Sequence, residues 1–522
     1  MLQTLPIGIQ TFAHIRKDNM LYVDKSGRLL ELIETGRRYF LSRPRRFGKS
    51  LTLSTLEAMF CGRCDLFSGL AAEQWVRKQA DHPAPVLRFD MSTIESFNHE
   101  DVRLSLKDKI KRRAEDFNIP IRSETLGDMF IDLIRGIHKA YGHVVVLIDE
   151  YDKPILDNIS DIRKANDIRE VMRSFYSALK SSDEFLRFVF ITGISKFSKA
   201  GIFSSMNNLL DISMTVNFGD IVGYSQQEFE ESFRDWIDNT AKKMNLNHYQ
   251  LVARLKDYYD GFSFDGFHKL YNPFSILNCL STARFGNFWY ISGSPTFIVR
   301  YMKNHSISDP DEYQHFEVSP DFADNHEIEY STPESFLYQS GYLTIEKWED
   351  DLITLNYPNE EVRKSISRIF LDDVYHVRRY ITLGNRLWEA LQNGNISQAV
   401  ELYNTAISAV PYDDFANRNE FWYRSLFIML LRGAGIISYA EIHTHKGRCD
   451  LLIQFNDSII VFEFKFASLS SEVEKMKLEG TTQMEDREYS KGYMNDGRQV
   501  ISAVLVADDQ KRILIETVQK TV

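Results

Sequence analysis

The chain has 522 residues, with 62 Lys and Arg against 73 Asp and Glu and a formal net charge of −11. Its 43% hydrophobic and 13% aromatic content fits a folded, soluble chain of about three domains and excludes general disorder. The acidic balance excludes a protein that coats DNA through bulk charge, although a nucleic-acid enzyme needs only a local basic channel.

The opening Met1-Leu-Gln-Thr-Leu-Pro6 lacks the basic-then-apolar pattern of a secretory signal. Arg38-Tyr-Phe-Leu41 reads as a short strand, Ser42–Phe47 as a loop, and Lys49 opens an amphipathic helix that runs to Phe60. Cys61-Gly-Arg-Cys64 has metal-ligand spacing, but no second pair completes a zinc site. With Cys279 and Cys449 the cysteines total four, too few for a disulfide framework, so a reducing, cytoplasmic setting is expected.

Pro85–Asp90 is a second strand, and residues 98–141 carry helical periodicity, in which the basic stretch Lys107–Arg113 reads as a solvated helix face. The unbroken apolar run His143–Ile148 suits a central parallel strand covered on both faces. Ile162–Ser182 is helical, and Leu186–Thr192 is a buried strand stopped by Gly193. Strands alternating with helices predict an α/β domain with a parallel sheet.

From Ser225 the pattern turns helical: Gln226–Met244, Tyr249–Tyr259 and, after a turn-rich segment, Phe274–Thr282. Residues 304–332 are polar and read as a linker; Glu334–Ile345 and Leu352–Tyr357 read as a small strand-bearing connection. Residues 361–409 are mostly helical, with one hairpin near Leu391–Pro411. The last 110 or so residues give a helix at Asn419–Arg432, strands, a helix, and strands at Val500–Ala507 and Arg512–Thr517. No run approaches the ~20 apolar residues of a membrane span, so no membrane partner is expected. The expected domains are a phosphate-loop domain over 1–220, a helical lid over 221–300, a linker and helical connecting region over 301–409, and a C-terminal α/β domain over 410–522.

Arg43-Pro-Arg-Arg-Phe-Gly48-Lys49-Ser50 keeps the second half of the Walker A pattern and replaces its first glycine with Arg43. Gly48 allows close approach of backbone to phosphate, Lys49 reaches the terminal phosphates, and Ser50 suits Mg²⁺. Val144-Val-Val-Leu-Ile-Asp149-Glu150 follows as a Walker B strand: Asp149 would hold Mg²⁺, and Glu150 would orient or deprotonate the attacking water. Thr192, ending the next strand, sits where a phosphate sensor belongs. Arg45 and Arg46 either contact phosphate directly, act across a subunit boundary as an arginine finger, or neutralise acids such as Asp152. Lys196 and Lys199 read first as surface residues, with phosphate contact as the alternative. ATP and Mg²⁺ are the expected cofactors, and self-association is left open.

In the C-terminal part, Asp450–Phe455 and Ser458–Lys465 flank Asn456-Asp457, a two-residue hairpin turn. That turn pairs 455 with 458 and sets Asp450 opposite Glu463, with Cβ atoms ~5 Å apart. Lys465 shares the face. Two carboxylates this close call for a cation, and Mg²⁺ ligated by Asp450 and Glu463 is the natural one, with Lys465 positioning or activating water. Glu420 upstream, and Gln483 and Tyr489 downstream, are additional polar candidates. His443 and His445 could bind metal, but a His-x-His in a polar loop reads first as solvent-exposed. The competing reading is a cross-strand ion cluster.

These residues resemble a known family. Tyr22-Val-Asp-Lys-Ser26, Arg43–Ser50, Ile148-Asp-Glu-Tyr-Asp152, Thr192-Gly-Ile-Ser-Lys-Phe197 and Tyr271-Asn-Pro-Phe-Ser275 resemble the AAA-ATPase-like domain of many bacterial, notably Bacteroidetes, proteins. Asp450, Glu463-x-Lys465, Gln483 and Tyr489 look like the PD-(D/E)XK nuclease superfamily domain that usually accompanies it. The resemblance spans nearly the whole chain outside 300–410, and the missing first Walker glycine is normal for that family. It implies an α/β fold: a P-loop parallel sheet with a helical lid, a helical connecting region and a restriction-endonuclease-like C-terminal domain. It also implies work on nucleic acid in defence or mobile-element biology. The expected function is an ATPase coupled to a Mg²⁺-dependent nuclease acting on DNA. The alternatives are a nucleotide-controlled binding or signalling module that does not cut, and a nuclease fold joined to a non-hydrolysing ATPase.

Overall fold

The computed structural model describes residues 2–196, 208–292, 313–323, 332–374, 377, 380–408, 410, 418–433, 436, 438–444, 447–489, 493 and 497–521. The chain divides into two compact units, one formed by Met1–Phe297 with Tyr313–Val362 and the other by Ile298–Glu312 with Arg363–Val522. Among the described residues no helix is long and apolar enough to cross a membrane.

The first unit is built on five parallel strands: β1 (Arg38–Ser42), β2 (Val86–Asp90), β3 (Val144–Asp149), β4 (Leu186–Gly193) and β5 (Leu210–Asp211), in the order β2-β3-β4-β1-β5. Every residue of β3 is buried, as its apolar run requires at the centre of a covered sheet. The helices that cover it start at side-chain caps: Asn98, Thr125 and Asp161 each accept from a backbone N–H of the following turn. The 98–141 stretch is two helices, His99–Asp116 and Leu126–Tyr141. The break falls where Asn118 takes φ 55 and Pro120 forbids continuation. Phe130 and Phe175 stack at 4.4 Å between the Leu126–Tyr141 and Ile162–Ser181 helices, each ring worth roughly 1.5–3 kcal/mol of burial.

Beyond the sheet, β6 (Tyr224–Ser225) pairs with β7 (Leu270–Tyr271), and the helices Gln226–Lys243, His248–Tyr259 and Pro273–Thr282 follow. Ser225 with Glu228 and Asn247 with Gln250 form capping boxes. The helices share a core of Phe229, Phe233, Leu251, Leu255 and Ile276, into which the N-terminal residues Leu5, Leu21 and Val23 also pack. Trp236 Nε1 donates to Gln3 O at 2.9 Å, which ties the opening segment to this helical layer.

A small antiparallel sheet, β8 (Phe316–Val318), β9 (Thr344–Glu349) and β10 (Leu352–Asn356), completes the unit in the order β8-β10-β9. Two local expectations change here. Part of the polar 304–332 stretch is a strand, and Pro333–Ser340 is a helix that precedes β9. Pro333 at the first helical position and Gly341 at φ 89 just past the end supply both boundaries.

The second unit resumes within the Glu360–Ile369 helix, and the helices Tyr380–Gln392, Ile396–Ile407 and Glu420–Gly433 lead to a five-stranded mixed sheet. Its strands β11 (Ser438–Thr444), β12 (Gly447–Gln454), β13 (Ser458–Ala467), β14 (Gln499–Asp508) and β15 (Ile513–Thr521) lie in chain order. β13 and β14 run parallel, the other neighbours antiparallel. Two parallel strands need a crossover, and the Val473–Asp486 helix supplies it. Asn404 links the hairpin helix to the sheet edge, accepting from Leu514 N at 2.7 Å and donating to Leu514 O at 3.0 Å.

Candidate functional site

The phosphate loop joins β1 to the Lys49–Phe60 helix. Gly48 caps that helix at φ 94, where a side chain would be strained, and the helix presents its free N–H groups toward the loop. Lys49 is buried and donates to the carbonyls of Arg43 and Pro44, each at 2.8 Å; burial lowers its pKa, opposed by Asp149 and Glu150.

Arg43 stands where the first Walker glycine would be and points away from the helix. It is 1% exposed, donates to Ser42 O, Ser213 O (2.6 Å) and Gly219 O (3.2 Å), and lies 4.3 Å over Phe264. Burial pulls its pKa down to about 10. The loop is thus pinned from behind by a guanidinium instead of being shaped by a glycine.

The acidic partners converge at the C-terminal ends of the strands. Asp149 is buried; its Oδ1 accepts from Thr192 Oγ1 at 2.9 Å and from Glu150 N at 3.1 Å. Thr192 is fully buried, so its hydroxyl orients Asp149. Glu150 holds φ 50, a strained setting for a side chain of its size. Burial raises its pKa, Lys49 opposes this, and Asp149, Asp152 and Asp90 add to it. Asp152 accepts from Ile194 N, Ser195 N and Ser195 Oγ, which fastens the segment after β3 to the segment after β4. A Cβ on Gly193 would stand 2.4 Å from the Tyr151 ring, so this close crossing requires glycine. Lys196 is buried and pairs with Asp211 at 3.2 Å, which replaces the surface placement expected for it. Lys199 lies outside the described residues, as does Phe197 of the matching motif.

A cavity of about 310 Å³ opens over this loop. Arg45, Arg46, Gly48, Lys49, Ser50 and Glu150 line it, whereas Asp149 and Thr192 do not. Arg46 (φ 68) sits 4.9 Å from the Phe274 ring, and Trp289 Nε1 donates to Arg45 O at 3.3 Å.

The sequence reading missed three contributors. Pro6, Gly8, Ile9 and Gln10 form one wall together with Phe274 and Leu277, for which the apolar Leu5-Pro-Ile-Gly-Ile9 was the available signal. Lys153 lines the cavity while pairing with Asp157 at 2.5 Å. Asp90 ends β2 in register with Asp149, an acidic strand end like that of β3.

The second centre lies on the β12–β13 hairpin. The pairs Leu451↔Phe462 to Gln454↔Ile459, with Phe455 N donating to Ser458 O at 2.7 Å, are the register that the Asn456-Asp457 turn dictates. The ladder ends one step short of Asp450 and Glu463, which stand close enough for the charge of Asp450 to act on Glu463. Glu463 is 1% exposed; its Oε1 accepts from Lys465 Nζ at 2.8 Å, and its Oε2 has no hydrogen-bond partner among the described residues. Burial first, and the charge of Asp450 second, raise its pKa to about 7. Lys465 loses stability as a cation through burial, but the bond and charge of Glu463 outweigh this and raise its pKa.

Asp450 accepts from Phe464 N at 2.7 Å through Oδ2 and from Arg424 Nη1 at 3.2 Å through Oδ1. Glu420 stands close enough that Lys465, Asp450 and Arg424 all act on it, and burial raises its pKa. Gln483 Nε2 donates to the buried Tyr489 hydroxyl at 3.2 Å. His445 and the side chain of His443 lie outside the described residues.

Among the described residues no group of three or more His, Cys, Asp or Glu side chains is arranged to hold a metal ion. A cation held by two carboxylates and completed by water and substrate phosphate, as Mg²⁺ commonly is, needs fewer protein ligands than that. The orphaned, buried Glu463 Oε2 beside Asp450 fits such a donor set.

A family described as predicted AAA-ATPase matches residues 6–203, and the PD-(D/E)XK nuclease superfamily matches residues 418–517. An uncharacterized protein in the vnfD 5′ region of Azotobacter chroococcum mcd 1 is 32% identical over 513 residues, covering 95% of this chain and 95% of that one. Similar solved structures include the Aeropyrum pernix ORC1 protein in complex with DNA, at 7% identity over 66% of this chain and 92% of that chain, with a TM-score of 0.25. The Aeropyrum pernix ORC2 protein in ADPNP–ADP complexes aligns at 10% identity over 79% of this chain and 85% of that chain, with a TM-score of 0.28. Likeness at these scores carries no weight for this chain.

Proposed function

We propose that this chain, which belongs to the family of AAA-ATPase-like proteins bearing a C-terminal PD-(D/E)XK nuclease superfamily domain, is an ATPase coupled to a Mg²⁺-dependent nuclease acting on DNA. At the first centre Lys49, Arg45 and Arg46 meet the phosphates, and Ser50 and Asp149 hold Mg²⁺. Thr192 fixes Asp149, and Glu150 orients the attacking water. Arg46, exposed at the cavity rim, is placed for phosphate of the same subunit or of a neighbouring one in a homo-oligomer.

At the second centre Asp450 and Glu463 hold the metal, which supplies Lewis acidity toward the scissile phosphate and its attacking water. Lys465 pairs with Glu463, which favours the carboxylate form against burial, and places its ammonium beside that carboxyl. The observation that carries this reading is Glu463: a fully buried carboxylate with one oxygen unpartnered, next to a second carboxylate. Work on nucleic acid in bacterial defence or mobile-element biology is the setting we infer. A cytoplasmic location is supported by four unpaired cysteines, two of them exposed.

The test is purified full-length protein with ATP, Mg²⁺ and plasmid or linear DNA. Asp450→Ala and Glu463→Ala each abolish cutting while nucleotide binding persists; Lys49→Ala weakens nucleotide binding about a hundredfold, as loss of a buried cation facing phosphate should. Absence of cutting by the parent protein across DNA forms and divalent ions would defeat the nuclease reading. A second reading, a nucleotide-controlled binding module whose nuclease-like domain does not cut, is favoured by the Arg424–Asp450 ion pair, because a guanidinium already occupies a proposed metal ligand.

A further inference from the structure

Arg424 projects from the Glu420–Gly433 helix into the C-terminal centre, and no part of the reaction above has used it. It is 8% exposed, lies 5.1 Å over the Phe421 ring and reaches Asp450 Oδ1 at 3.2 Å. The other oxygen of Asp450 is engaged by Phe464 N. Three carboxylates, Asp450, Glu463 and Glu420, therefore meet two cations, Lys465 on Glu463 and Arg424 on Asp450.

We propose that Arg424 is the substrate-positioning residue of this centre: it rests on Asp450 as an internal counter-ion and transfers to the phosphodiester when a divalent cation takes the carboxylate. The inference rests on the metal-binding reading of Asp450 and Glu463.

Three physical arguments support the exchange. A divalent cation on Asp450 and Glu463 brings two positive charges to a place where Arg424 supplies one, so guanidinium and metal repel each other and compete for Oδ1. A guanidinium released there has a natural acceptor in the incoming phosphate, whose paired oxygens match its fork of N–H donors. The Phe421 ring lies 5.1 Å from the guanidinium carbon, an apolar contact that does not depend on Asp450.

The experiment uses the nucleotide-free full chain, with Arg424→Met, Arg424→Lys and, as the blank for this site, Glu463→Gln. Ca²⁺ and Mg²⁺ uptake is measured by calorimetry, and affinity for a short DNA duplex is measured in Ca²⁺. Removing the competing cation should tighten divalent binding about tenfold in Arg424→Met, while DNA affinity falls about tenfold. Arg424→Lys, which keeps the charge but not the fork, should leave metal affinity near the parent value and still weaken DNA binding. A purely structural Arg424 would loosen both ligands together.

Unchanged metal affinity, or unchanged DNA affinity, in a folded Arg424→Met would overturn the proposal. If that variant does not fold, Arg424→Lys decides: DNA affinity equal to the parent's overturns it. Failure of the parent itself to take up a divalent cation at the site blanked by Glu463→Gln overturns the metal reading and this inference together, which separates the two failures.

Discussion

At the phosphate loop the buried cation and the buried acid are each held by neutral groups, Lys49 by two carbonyls and Asp149 by a hydroxyl and a backbone N–H. On the C-terminal hairpin each acid is met by a cation, Glu463 by Lys465 and Asp450 by Arg424 in addition to Phe464 N. The difference teaches what each centre expects of its ligand. A loop organised by neutral dipoles keeps its charges available for a polyanion and its metal. A centre whose charges are already paired admits a cation only by rearranging, so its properties depend more steeply on pH and on the loss of single residues.

The sharpest way to break this contrast is to remove the guanidinium that supports the loop from behind. Arg43→Gly restores the full Walker A glycine pattern, yet it removes the donors to Ser42, Ser213 and Gly219 and leaves a hole against Phe264. We expect a loss of about 3 kcal/mol in urea unfolding and weaker nucleotide binding. A variant as stable as its parent would show that the glycine, and not the guanidinium, sets the loop.

A smaller effect should appear at the paired centre, as pH dependence. Glu463 has its folded-state pKa raised to about 7 from an ordinary 4.5. Between those values the folded chain binds more protons than the unfolded one, so this group lowers stability as pH rises through the window. Glu463→Gln should flatten that slope and gain about 2 kcal/mol at pH 6.5 relative to its effect at pH 4.5, read from unfolding curves across the range. An unchanged slope would mean that Lys465 fully compensates the burial.

The mildest change is Thr192→Val. It removes a single neutral bond to Asp149, so stability falls by about 1 kcal/mol, nucleotide binding holds, and turnover drops because the carboxylate is no longer oriented. Equal turnover would place Asp149 under the control of Glu150 N alone.

What could be read beforehand followed chain locality. Gly48, Lys49 and Ser50 are consecutive, and a strand–loop–helix turn necessarily delivers them to one place. Asp149 and Glu150 end a strand whose apolar run fixes its depth. The hairpin register came from arithmetic, since a two-residue turn leaves no choice of partner for Asp450. What could not be read depended on distant placement. Nothing near Arg43 announces carbonyls 170 and 176 residues away, and Arg424 sits on a helix whose sequence does not name Asp450 as its partner. The Pro333–Ser340 helix was missed for a different reason: eight residues hold too few turns for periodicity, so only the proline and glycine at its ends mark it.

The cavity over the loop takes its walls from residues as far apart as Pro6 and Leu277. During synthesis, a ribosome that has finished the loop and β3 has still not made the helix that closes the far side. A nucleotide that touches every wall of the cavity therefore gains its last contacts only after Leu277 has emerged.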